Sequence, residues 1–200
     1  MFIPKLSLLG NLQQVMPILP AEPDVYPDDL FERIDGSVTD RAWWAIYTLA
    51  RREKELMRRL RAQGVSFYGP QICRRTRSPR GRMRESFVPL FAGYVFVCGG
   101  EQDRLAALAT NCVSRCLPVP KIAAFEHDLQ QIRRLIASNA PLTVEKRIEP
   151  GRRVRVRGGA MVGLEGTVIK RRGKDWLMVS VGFLQQGASV LLEDFQVEPL

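Results

Sequence analysis

Six arginines crowd the eleven residues from Arg74 to Arg84: Arg74, Arg75, Arg77, Arg80, Arg82 and Arg84, with no acidic side chain among them. Like charges at that density repel unless an anion sits between them. The guanidinium plane grips phosphate through paired hydrogen bonds and stacks on unpaired bases, so the chemistry on offer is nucleic-acid binding. A solvated loop is the alternative reading. A second basic set lies near the C-terminus, where Arg152, Arg153, Arg155 and Arg157 precede Lys170, Arg171, Arg172 and Lys174. Arg153, Arg155 and Arg157 alternate with Val154 and Val156, which predicts a strand with one basic and one core face. That face either binds RNA or is solvated.

Catalytic chemistry finds no purchase. The sequence has no phosphate-cradling glycine loop of the Walker type, no Gly-x-Ser-x-Gly and no Cys–His pair in a telling context. The lone histidine, His127, stands beside Asp128 on an expected helix and reads as a surface residue. Of the four cysteines, Cys73, Cys98, Cys112 and Cys116, only the last two are close in sequence. A structural zinc site needs two such pairs, so the thiols read as reduced and mostly buried. The expectation is a binding protein with no cofactor and no metal.

Two aromatic segments complete the candidate chemistry. Residues 43–49 read WWAIYTL and residues 89–97 read PLFAGYVFV. In a strand half of such side chains point into the core. Each aromatic is therefore either core or docking surface, and the phenols Tyr47 and Tyr94 suit a partly wet interface better than the others.

These residues need elements to hold them. Residues 43–49 predict a strand. Residues 51–63 predict a helix with Leu56, Met57 and Leu60 on one face, ended by Gly64. Strands are expected at 65–72, at 87–98 with a bend at Ala92-Gly93, and at 113–117. The arginine segment 73–86 reads as a loop between the first two of these. Helices are expected at 103–109, capped by Asp103, and at 126–138, with Leu129, Ile132, Leu135 and Ile136 at helical spacing. Residues 139–149 are polar, contain Pro141 and read as linker. Beyond them five short strands (152–157, 166–170, 176–181, 189–192 and 195–198) alternate with glycine turns, which fits a small closed barrel.

The whole chain of 200 residues carries a formal charge of +9, with a pI near 9.9, and a basic protein of this kind suits a polyanionic partner. Residues 1–40 run the other way, with seven acids against Lys5 and Arg33, a net of −5 that leaves +14 for the rest. Prolines at 17, 20, 23 and 27 make that segment an expected disordered extension. Met16 within it is an alternative start to Met1. No apolar run is long enough for a membrane span, so a soluble, cytoplasmic protein is expected.

Two stretches carry a family resemblance. WWAIYTLARREKEL followed by PLFAGYVFV resembles the N-terminal domain of the NusG family, and PGRRVRVRGGAMVGLEGTVIKRR resembles its KOW motif. The resemblance implies an α+β protein: an α/β sandwich domain over residues 41–138, then a linker at 139–149 and a five-stranded SH3-like barrel over 150–200. It implies a monomeric transcription elongation factor that modulates pausing, termination or antitermination. Trp44, Tyr47, Leu90, Phe91 and Tyr94 would dock on the clamp of the largest subunit of RNA polymerase. Arg74, Arg75, Arg77, Arg80, Arg82 and Arg84 would meet the DNA or RNA of the elongation complex. Phe183, Leu184 and Gln186 would contact a ribosomal protein or Rho.

The match departs from the family pattern in places. Ala92 replaces the family proline, and Gly182-Phe183-Leu184-Gln185-Gln186 replaces an Ile-Phe-Gly-Arg stretch. The Arg80-Gly81-Arg82 loop resembles that of specialised RfaH-like paralogues, which points to a specialised antiterminator. A ribosome-associated or general RNA-binding protein that uses its KOW barrel is the alternative.

Overall fold

The computed structural model describes residues 22–35, 42–78, 81, 83–147, 149–192 and 197–200. In chain order the first part comprises β1 (Val25–Tyr26), α1 (Leu30–Asp35), β2 (Ala42–Thr48), α2 (Glu53–Ala62), β3 (Ser66–Tyr68), β4 (Gln71–Arg77), β5 (Met83–Pro89), β6 (Tyr94–Gly99), α3 (Glu101–Ala109), β7 (Val113–Pro118) and α4 (Ile122–Ala137). Five strands form an antiparallel sheet in the order β1-β3-β6-β2-β7.

Strand alternation sorts the aromatics and aliphatics of this sheet onto two faces. Ile46 of β2 and Val95 and Val97 of β6 join Leu56, Met57 and Leu60 of α2 and Ala107 of α3. Trp43 and Ala45 of β2 and Phe96 of β6 point the other way, to Phe125, Leu129 and Ile132 of α4. Helices therefore cover both faces. Trp43 is doubly tied, packing edge-on to Phe125 at 5.7 Å while its indole N–H donates to Glu126 at 2.7 Å.

Helix α2 buries its Leu56, Met57 and Leu60 stripe and exposes Arg58, Arg59 and Arg61. It stops because Gly64 takes φ +72°, which a side chain disfavours. Helix α3 starts at Glu101, two residues before the expected Asp103 cap; Gly100 is the capping position, and Asp103 lies in the first turn, accepting the Gly100 N–H at 2.9 Å. Helix α4 begins earlier than its apolar spacing suggested, and the added turn brings in Phe125, a centre of the core.

Three expectations need revision. Part of the acidic extension is ordered: β1 pairs with β3, and Phe31 of α1 meets Tyr68 edge-on at 5.0 Å. Two apolar residues, Leu30 and Phe31, supply the burial that composition averaged over forty residues concealed. Residues 1–21 and 36–40, with Met16, lie outside the described residues. The arginine segment is no loop, because β4 and β5 pair from Gln71↔Pro89 to Arg77↔Met83 as a two-stranded hairpin. The expected linker contains β8 (Leu142–Glu145), which exists through its pairing with β12 and buries Glu145 while leaving Val144 exposed.

The C-terminal part continues with β9 (Arg152–Val156), a 3-10 turn (Gly159–Met161), β10 (Glu165–Arg171), β11 (Lys174–Val181), β12 (Gln186–Leu191) and β13 (Val197–Pro199). With β8 they form one antiparallel sheet in the order β13-β9-β10-β11-β12-β8. Six strands thus replace the expected five. The sheet is not a closed barrel, since among the described residues the end strands β13 and β8 do not pair with each other. Residues 193–196, which include the first two of the expected last strand 195–198, lie outside the described residues.

Gly166 sits mid-strand in β10, where an added Cβ would meet the Met178 carbonyl oxygen at 2.6 Å. Val154, Val156, Leu177, Val179, Val181 and Val190 share one apolar cluster with Leu129, Ile132 and Leu135 of α4. Helix α4 therefore packs on both sheets.

Candidate functional site

Tyr47 and Tyr94 face each other across the β2–β6 ladder, with ring centroids 5.1 Å apart and planes tilted by 56°. Helix α4 covers this face of β2 over Trp43 and Ala45, but Tyr47 remains 40% exposed. On the neighbouring strand β7, Leu117 pairs with Ala45 and is 37% exposed, and Arg115 pairs with Tyr47. Cross-strand partners share a face. Tyr47, Tyr94 and Leu117 thus form an aromatic and apolar patch beside the exposed Arg115.

The strand turn below this patch depends on Gly93, whose φ is +84° and whose Cβ, if present, would meet the Tyr47 ring at 2.8 Å. The Gly93 N–H donates to Glu53 Oε1 at 2.8 Å, and its carbonyl accepts the Thr48 N–H at 2.7 Å.

The other three aromatic or apolar candidates do not join the patch. Leu90 and Phe91 are 2% and 1% exposed, and Phe91 packs on Phe96 inside the core. Trp44 points to the opposite face, half-buried, with the Arg104 guanidinium 5.4 Å from its ring centroid. Alternation along β2 requires that opposition. Arg115 and Leu117 were missed by sequence reasoning because only the β2–β7 register brings them beside Tyr47.

The arginine hairpin springs from the same ladder. Strand β4 follows β3 through Gly69-Pro70, and β5 returns through Leu90–Gly93 to Tyr94. The Leu90 N–H donates to the Pro70 carbonyl at 2.8 Å and closes the base. Residues of the acidic segment brace it: the Asp24 carbonyl accepts the Gly69 N–H at 2.6 Å, and the Glu22 carbonyl accepts from Gln71 Nε2 at 3.1 Å. Burial pushes the Asp24 carboxyl above its usual range, against the backbone hydrogen bonds and the Arg133 charge that lower it. Burial also raises the Tyr68 phenol, with the Asp24 charge adding to the effect.

Along the hairpin the pairing separates two faces. Arg75 and Arg77 share one with Glu85, and Arg75 Nε–Glu85 Oε1 is an ion pair at 2.6 Å. Arg77 Nε donates to the Gly81 carbonyl at 3.4 Å. Arg74 and Arg84 lie on the other face with Thr76 and Ser86 and are exposed. Arg80 and Arg82 lie outside the described residues. The hairpin thus presents one partly neutralised face and one cationic face.

Phe183, Leu184 and Gln186 lie on or beside the β11–β12 connection, at a seam with α4. Phe183 meets Phe125 edge-on at 5.9 Å. The Gly182 N–H donates to Asp128 Oδ2 at 2.8 Å, and the Glu165 N–H donates to Gln131 Oε1 at 2.9 Å. Desolvation raises the Asp128 carboxyl despite that hydrogen bond and the nearby cations. His127 Nε2 lies 3.2 Å from Glu165 Oε2. All three candidates are half-buried here, with Leu184 and Phe183 against the shared core.

The basic face expected on β9 is largely neutralised. Arg155 pairs with Glu165 at 2.7 Å, and Arg157 with Glu198 at 2.9 Å. Among the described residues no three metal-ligating side chains gather, and no helix is long and apolar enough to cross a membrane. The cysteines are free thiols, with Cys73 exposed on the hairpin.

A family model described as "Transcription termination factor nusG" matches residues 41–145, more than half of the chain. No curated protein matches the sequence.

Proposed function

Since the chain belongs to the NusG family of transcription factors, we propose that it rides on RNA polymerase by docking Tyr47, Tyr94 and Leu117 on the clamp of the largest subunit. The observation that carries this is the tyrosine pair, Tyr47 exposed and Tyr94 half-buried, beside the exposed Leu117 on the part of the sheet face next to the Trp43 and Ala45 that α4 covers. Rigid aromatics at the centre of such a patch are what interface hot spots are made of. Leu90 and Phe91 then support the patch from within, and Trp44 shapes the far face.

The hairpin extends from the same ladder, so docking the tyrosines aims Arg74 and Arg84 at the nucleic acid of the elongation complex. A factor held at both points favours the closed, processive polymerase over the paused one, provided that it binds the first state more tightly. The compact hairpin and the Gly182–Gln186 connection support reading it as a specialised antiterminator. The C-terminal sheet acts as a tethered KOW module that recruits a ribosomal protein or Rho through Phe183, Leu184 and Gln186. With Phe183 against Phe125, that recruitment needs the seam to open.

The test is a single-round elongation assay on a pausing template with nuclease-treated core polymerase. Shortened pauses at saturating protein are expected. Tight polymerase binding with unchanged pausing would remove the antipausing role, and no polymerase binding at all would remove the docking.

A further inference from the structure

We propose that the turn between β10 and β11, together with the segment following β8, forms a second nucleic-acid site that grips single-stranded chains through their phosphates and unpaired bases. The two segments are far apart in sequence and are brought together by Arg171. That guanidinium pairs with Glu145 at the end of β8, at 2.6 Å, and with Glu149. Ser189 Oγ donates to the same Glu145 carboxylate.

Lys146 and Arg147 lie between those two glutamates, and Lys170 and Arg172 flank Arg171 on either side. All four are exposed, and among the described residues none has an acidic partner. The acids nearby are few: Glu145 and Glu149 are neutralised by Arg171, and Asp175 stands opposite Lys170 in the ladder. Glu193 and Asp194 lie outside the described residues.

This arrangement differs from the β9 face, where glutamates answer Arg155 and Arg157 one for one. Here Glu145 and Glu149 are spent on positioning Arg171, and Lys146, Arg147 and Arg172 are exposed beside a tight turn with Arg172 at φ +50° and Gly173 at +77°. A convex turn is a poor shape for a duplex groove, which takes a helix or a two-stranded ribbon. It suits a flexible strand whose phosphates can wrap it, and the guanidinium planes of Arg147 and Arg172 offer stacking surfaces for bases. The site requires neither polymerase nor the hairpin, so it stands or falls apart from the docking proposed above.

The experiment uses the full chain carrying Arg74→Ser/Arg84→Ser, which removes the exposed hairpin face. Binding of fluorescent single-stranded RNA, single-stranded DNA of the same sequence and duplex DNA is followed by anisotropy over a range of salt. Adding Arg147→Ser/Arg172→Ser is expected to weaken single-strand binding ~25-fold at ~0.1 M salt and to lower the slope of log K against log salt by about 1.4, at ~0.7 per phosphate contact. Adding Arg61→Ser/Arg134→Ser, exposed cations elsewhere, removes the same charge and is expected to leave that slope unchanged. Arg147→Lys/Arg172→Lys keeps the slope and shows that the fold is intact. The RNA and DNA arms tell which strand is the ligand. Equal losses in the two serine pairs, a loss as large on duplex DNA, or no single-strand binding by the starting protein would each overturn the site.

Discussion

Replacing Tyr47 by alanine removes the most exposed ring of the tyrosine patch. A tyrosine side chain buries on the order of 200 Å² when fully covered. Tyr47 is 40% exposed, so docking covers roughly 80 Å² more, which at ~25 cal/mol per Å² is about 2 kcal/mol. That predicts a polymerase affinity about 30-fold weaker. Tyr47→Phe keeps the ring and is expected to bind nearly as the natural protein does. Leu105→Ala is the control: Leu105 is also exposed, but on α3, which packs on the opposite sheet face. The assay is titration of labelled protein with nuclease-treated core polymerase, with thermal melts to confirm that the variants fold. Tyr47→Ala binding within a factor of two of the natural protein, or Leu105→Ala losing as much, would refute docking through this patch.

Four further outcomes follow from the geometry. Gly93→Ala forces a Cβ against the Tyr47 ring at a left-handed backbone position; it is expected to cost on the order of 1–3 kcal/mol of stability in urea melts and to weaken polymerase binding with it. Gly166→Ala sets a methyl against the Met178 carbonyl and is expected to destabilise the chain by ~2 kcal/mol without touching the patch. Glu145→Gln breaks the pairing with Arg171. Burial alone would raise the Glu145 carboxyl, but hydrogen bonds from Arg171 and Ser189 hold it below its usual 4.5. Its stabilisation is therefore present above pH 4.5 and lost as pH falls through the lowered value, so natural and variant melts should differ by about 2 kcal/mol at pH 7 and converge in acid. Asp128→Ala leaves the Gly182 N–H without its acceptor and is expected to speed hydrogen exchange at Gly182 and proteolysis near Phe183; unchanged exchange would show that the seam does not depend on this bond.

Much of this protein is written in local pattern. The stripe Leu56, Met57 and Leu60 dictates α2, and Gly64 ends it, because helix periodicity and left-handed φ are properties of a few neighbouring residues. The alternation of valines with arginines across residues 152–157 likewise dictates β9. Local pattern failed where partners lie far along the chain. Residues 73–86 looked like a loop because arginine has no strand preference to announce; the pairing of Gln71–Arg77 with Met83–Pro89 drew 73–77 into β4 and 83–86 into β5. Residues 142–145 looked like linker because a four-residue edge strand exists only through its hydrogen bonds to β12.

The same division runs through the candidate site. That Tyr47 or Tyr94 would suit an interface was legible from the phenol itself. That Leu90 and Phe91 turn inward, that Trp44 faces away, and that Arg115 and Leu117 join the patch was decided by the register of β2 with β6 and β7. A one-residue shift in that register would send every one of these side chains to the other face. Arg171 was visible only as one more cation in a basic run. Its position between Glu145 and Glu149, which frees its neighbours to meet an anion, belongs to the folded sheet alone, because burial and charge pairing are properties of space and not of sequence order.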